Sequence, residues 1–158
     1  METIIGIDPG LATTGWGVIR YTKGQIVLVD YGVIATPAGT PLGKRLATIA
    51  EQLTGLIKKY HPTRLAVEEL FFAKNVTTAL TVGQARGVIV LVAEQHGLPI
   101  SEFTPLEVKQ ATTSFGRADK QQVQKMVQAI LHLDSLPQPD DAADALAIAI
   151  TGAHTLSL

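Results

Sequence analysis

A chain of 158 residues, 46% of them apolar and 17% charged, is long enough to bury one sizeable core and too apolar to be disordered. Its net charge of -1 gives no global field that would attract a polyanion, although acids gathered at one place would cancel basic residues spread elsewhere. The absence of cysteine excludes disulfides and thiolate metal sites, and the longest apolar runs, such as Val88–Ala93 and Ala145–Ile150, are too short to cross a bilayer.

The N-terminus runs straight into a strand, without a basic and apolar leader, which predicts a cytosolic protein with no membrane association. Strand patterns cover Thr3–Asp8, Thr14–Tyr21 and Gln25–Ile34, and the short Thr22-Lys23-Gly24 connection makes the last two antiparallel neighbours. Leu42–Tyr60 carries apolar residues at a helical period, and Leu65–Val67 is a short core strand. A helix is predicted over Val76–His96, then a strand over Pro99–Phe103. Thr104 caps the next helix, with Pro105 in its first position and Glu107 completing a capping box. Further helices follow over Asp119–Leu133 and from Pro139-Asp140 onward. The order predicts a single α/β domain over residues 1–158, with a five-stranded mixed sheet flanked by helices.

Acidic residues stand at the ends of three of these elements. Asp8 closes the first strand in Ile4-Ile5-Gly6-Ile7-Asp8-Pro9-Gly10, Glu68-Glu69 close the fourth, and Asp140, Asp141 and Asp144 open the last helix. Each has an ordinary reading: a turn-forming Asp, a plain strand end, acids at the positive end of a helix. One acid suffices to cap a helix, however, and Asp141 and Asp144 fall on one helix face. Ligands of α/β sheets sit beyond the C-terminal strand ends, where Asp8 and Glu68/Glu69 both lie. Strand side chains alternate, so only one of the two glutamates can share the face of Asp8, and parity does not say which. Small residues after Asp144 let that helix approach the sheet and bring its acids to the strand ends. Carboxylates from two strands and a helix suit hard divalent cations such as Mg²⁺, two of which can clamp a phosphoryl displacement.

Beyond the acids, Gly6-Ile7-Asp8-Pro9-Gly10 with Thr14-Gly15-Trp16-Gly17-Val18-Ile19 resembles the opening motif of the RuvC Holliday-junction resolvases, within the RNase H-like superfamily. Ala66-Val67-Glu68 with Phe71-Phe72-Ala73-Lys74-Asn75, then Gly83-Gln84-Ala85-Arg86-Gly87, Val108-Lys109-Gln110 and Asp141-Ala142-Ala143-Asp144-Ala145-Leu146-Ala147 continue the resemblance almost end to end. It implies an RNase H-like fold and places the catalytic, metal-holding acids on Asp8, Glu68, Asp141 and Asp144. That choice selects Glu68 over Glu69 and leaves Asp140 as the expected N-cap. The implied activity is Mg²⁺-dependent endonucleolysis of four-way DNA junctions, with Mn²⁺ as a substitute. In it Asp8 bridges two ions, one activating water and the other stabilising the leaving 3′ oxygen, to give 5′-phosphate and 3′-hydroxyl ends.

Such a substrate is close to two-fold symmetric, and a homodimer would match it. The resemblance implies one, as well as a RuvA–RuvB branch-migration partner. The Val76–His96 helix, apolar on all sides at Val88–Val92, is the expected interface. Lys74, Arg86, Lys109, Arg117 and Lys120 are the expected DNA contacts, with Lys109 and Lys120 on basic positions of the family. Of Phe71 and Phe72, the resemblance favours Phe71 as the ring that stacks on an unpaired base. The histidines, His61, His96, His132 and His154, read as surface or capping residues. Three rivals predict other outcomes: an actin-like or sugar-kinase ATPase domain, a non-catalytic junction binder, and a nuclease for RNA–DNA hybrids.

Overall fold

The computed structural model describes residues 1–69 and 76–157. Strands β1 (Glu2–Asp8), β2 (Thr13–Thr22) and β3 (Gln25–Ala35) form an antiparallel meander. Strands β4 (Arg64–Glu68) and β5 (Ile100–Phe103) add in parallel on the other side of β1, giving the order β3-β2-β1-β4-β5. β1 is therefore central, which explains its unbroken apolar run: a strand covered on both faces has no side to give to water.

The helices are α1 (Leu42–Tyr60), α2 (Val76–Gln95), α3 (Pro105–Thr113), α4 (Lys120–Ile130) and α5 (Asp140–His154). Strand alternation divides the core in two. Ile5, Ile7, Leu65 and Val67 pack with Ile49, Leu53 and Ile57 of α1 and Ala85, Ile89 and Val92 of α2. Ile4, Ala66 and Phe103 pack on the opposite face with Val108, Val127, Leu146 and Ile150 from α3, α4 and α5. Every residue from Ala145 to Ala153 is buried, so α5 is the central layer of its side.

Most predicted boundaries agree with the structure to within a residue or two; α1 agrees at both ends. α2 stops at Gln95, one residue short, where Gly97 takes a positive φ of 66° and Leu98 N–H donates to the Ala93 carbonyl. α4 is shorter than predicted, ending at Ile130. The length of uninterrupted apolar runs understates α2, whose apolar residues are interspersed with small and polar ones. Among the described residues, α2 is long and apolar enough to cross a membrane. In this fold it packs against α1, and its Arg86 pairs with Glu102 of β5, so it serves as a core helix with one uncovered side.

Candidate active site

Close backbone approach assembles the site. Asp8 lies on the β1 face that carries Ile4 and Gly6, the face that α5 crosses. A Cβ on Gly6 would stand 2.2 Å from the Ala145 carbonyl oxygen, and one on Gly15, the β2 partner of Asp8, would stand 1.9 Å from that of Asp141. Neither contact is possible, so glycine at both positions lets the first turns of α5 lie against the strand ends. Carboxylate oxygens of Asp8, Asp141 and Asp144 consequently lie within 4.8 Å of one another.

Glu68 ends β4 on the face of Ala66, whose Cβ lies near Gly152 of α5. With α5 located, parity places Glu68 on the side of Asp8, and Glu69 lies exposed one residue past the strand end. Glu68 is not among the three mutually close acids, but it lines a cleft of about 220 Å³ together with Asp144, Lys109 and Lys120. A second cleft, of about 490 Å³, lies along Asp141 and is bounded by Gly10, Arg45, Thr78 and Thr81.

Asp140 is not the N-cap. Pro139 occupies that position and makes no side-chain cap, whereas Asp140 is already helical, accepts from Gln124 Nε2 at 3.0 Å and pairs with Lys120 at 3.6 Å. Its carboxylate is drawn to α4 instead of back onto its own helix.

Electrostatics mark the cluster as short of positive charge. Asp8 is pushed from 3.8 to about 8, first by burial and then by Asp144, Glu68 and Asp141, with Lys120 opposing. Burial also raises Glu68, helped by Asp144 and opposed by Lys109. Asp144 is raised by burial despite its 3.2 Å ion pair with Lys120. An all-oxygen donor set in this condition fits a hard divalent cation, which would let the acids ionise together.

The expected DNA contacts fare differently. Lys109 and Lys120 border the cleft that Glu68 and Asp144 line. Arg117 is exposed on the α3–α4 connection. Arg86 is engaged within the fold: Nη2 pairs with Glu102 at 2.5 Å and Nε donates to the Glu68 carbonyl at 3.4 Å. Phe71, Phe72 and Lys74 lie outside the described residues. His61 is the left-handed C-cap of α1, and His96 Nδ1 lies 2.8 Å from the Val92 carbonyl, as expected of capping residues.

Sequence reasoning missed the spacing role of Gly15 and missed Arg45. Arg45 donates to Thr36 through Nε at 2.9 Å and Nη2 at 3.1 Å, beside the Gly10–Thr13 turn. The cross-strand pairing of Gly15 with Asp8 could have revealed the first; nothing local in the sequence marks Arg45 within its helix.

The sequence profile described as "Crossover junction endodeoxyribonuclease RuvC" matches residues 4–152. A protein of that name from Rubrobacter xylanophilus is 57% identical over 154 residues, covering 98% of this chain and 86% of that one. Its namesake from Desulfitobacterium hafniense is 54% identical over 155 residues, covering 98% and 94%. Among solved structures, Thermus thermophilus RuvC in complex with a Holliday junction substrate superposes with a TM-score of 0.93 at 34% identity, covering 99% and 95%. The yeast mitochondrial resolvase Ydc2, at 15% identity and a TM-score of 0.64 over 94% and 77%, shares the fold. Sequence, fold and acid constellation agree: the chain belongs to the RuvC crossover junction endodeoxyribonuclease family.

Proposed function

We propose that this protein resolves four-way DNA junctions by paired symmetric nicks, in homologous recombination and repair, using Asp8, Glu68, Asp141 and Asp144 to hold two Mg²⁺ ions. The observation that carries this reading is the meeting of Asp8, Asp141 and Asp144, from opposite ends of the chain, within 4.8 Å. Divalent ions held by these acids would supply water activation and charge stabilisation at the leaving 3′ oxygen, giving 5′-phosphate and 3′-hydroxyl ends, with Mn²⁺ a substitute for Mg²⁺.

The chain's own groups do the positioning. Asp8, pushed up to about 8 by burial and by its three acidic neighbours, would be the shared ligand, with Glu68 on the side of the Lys109 and Lys120 cleft. Lys109 and Lys120 can grip phosphate there, and Arg117 can reach backbone farther out. A role for Arg86 in DNA binding requires exchange of its Glu102 pair. Phe71 is assigned the stacking role at the crossover on the family resemblance, and Lys74 a DNA contact from its place in the sequence between β4 and α2.

A cytoplasmic homodimer is the working assembly. α2 leaves Val76, Leu80 and Leu91 exposed by 77%, 62% and 56%, an apolar side that the protomer itself does not cover. The RuvA–RuvB motor is the expected partner in the pathway. Mobile four-way junctions incubated with Mg²⁺ and mapped for nicks test the reading. Paired symmetric nicks on junctions, none on RNA–DNA hybrids, and a loss of roughly 10³-fold in Asp8→Asn with junction binding retained are expected. Wild-type-like cleavage by Asp8→Asn would sink it.

A further inference from the structure

Lys120 occupies a position that helix stability does not explain. It is the first residue of α4, at the positive end of the helix dipole, where a lysine is unfavourable. The helix start is already satisfied by the Asp119–Gln122 capping box. Its ammonium instead crosses to α5, 3.2 Å from Asp144 and 3.6 Å from Asp140. Among the described residues, no other ion pair reaches Asp8, Glu68, Asp141 or Asp144.

We propose that Lys120 is a resident placeholder cation, which neutralises Asp144 until divalent ions enter and is then released toward the DNA backbone. The inference rests on the metal-holding role of the acids given above. A carboxylate in a lysine pair must give up that pair to become a ligand, so the two cations compete. Lysine suits the exchange: its charge sits on a flexible stem, and at 55% exposure the ammonium can leave without being stranded in the interior. Lys120 is thus a positioning residue for Asp144, and its contact with phosphate becomes available only after metal has loaded.

The test is calorimetric titration of the DNA-free protein with Mn²⁺, comparing wild type, Lys120→Met and Lys109→Met. Both variants remove one positive charge beside the site, but only the first removes a direct pair with Asp144. Lys120→Met should bind Mn²⁺ about three- to fivefold more tightly than wild type, the range expected for losing a partly exposed ion pair, and Lys109→Met within about twofold. Thermal melting supplies a second readout: Lys120→Met should melt below wild type without metal and equal it at saturating Mn²⁺. Equal affinities for the two lysine variants, or a melting deficit that persists at saturation, would overturn the placeholder role. Failure of the wild type to take up Mn²⁺ would overturn the metal reading as well.

Discussion

Gly15 and Asp141 touch backbone to backbone: a Cβ on the glycine would stand 1.9 Å from the aspartate's carbonyl oxygen. The same glycine is the antiparallel partner of Asp8, so one missing methyl group sets the distance between the first strand and the acidic turn of the last helix. Gly15→Ala should therefore push α5 away from Asp8. Overpacking of this kind costs about 1–3 kcal/mol, with a larger loss of cleavage because the ligand geometry opens. Melting temperature and single-turnover nicking measured together check this; cleavage that falls no more than stability predicts would remove the spacing role.

Glu68 and Glu69 offer a matched pair of probes one residue apart. Glu68→Gln should lower cleavage by roughly 10²-fold or more, whereas Glu69→Gln, exposed one residue past the end of β4, should leave it within about twofold. Comparable losses in both variants would contradict the assignment.

The metal-free protein should lose stability as pH rises. Asp8 keeps its proton in the folded state until about pH 8, while its ordinary value is 3.8. Between those values the folded chain binds more protons than the unfolded chain, so stability decreases with pH, and the upward shifts of Glu68 and Asp144 act in the same direction. Lys120 is raised from an ordinary value of 10.5, and its contribution is lost only above that window. In chelator, Tm should fall by roughly 5 °C between about pH 5 and pH 8. Saturating Mg²⁺ should remove most of that slope, and Asp8→Asn should flatten it. A Tm independent of pH in chelator would show that the acids are not held in this strained proximity.

The uncovered side of α2 makes a prediction about assembly. Leu91→Glu, placed on that exposed side, should halve the molar mass seen by light scattering and replace paired nicks with single ones. An unchanged mass would remove α2 from the proposed homodimer, and a monomer mass for the wild type would overturn the homodimer itself.

Much of this architecture was legible in the sequence because the relevant signals are local. The helical period of Leu42–Tyr60 and the Thr104–Glu107 capping box each act within a turn or two, and both are present in the structure. The choice between Glu68 and Glu69 was not legible from the residues, because it depends on which face of β4 receives α5. Asp140 was misjudged for a related reason: capping propensity favours it locally, but Gln124 and Lys120 of α4, distant in sequence, bind its carboxylate. The inward reach of Lys120 was likewise invisible before α4 and α5 were placed side by side.

The four acids come from the first strand, the fourth strand and the last helix, so their order along the chain has a consequence during synthesis. A nascent polypeptide can form its β1–β3 meander and even add β4 while still lacking every ligand that α5 provides. On the assignment proposed above, the set of acids stays incomplete until residues 140–154 have left the ribosome and packed against Gly6 and Gly15. On that assignment, a fragment terminated before α5 should cut no junction.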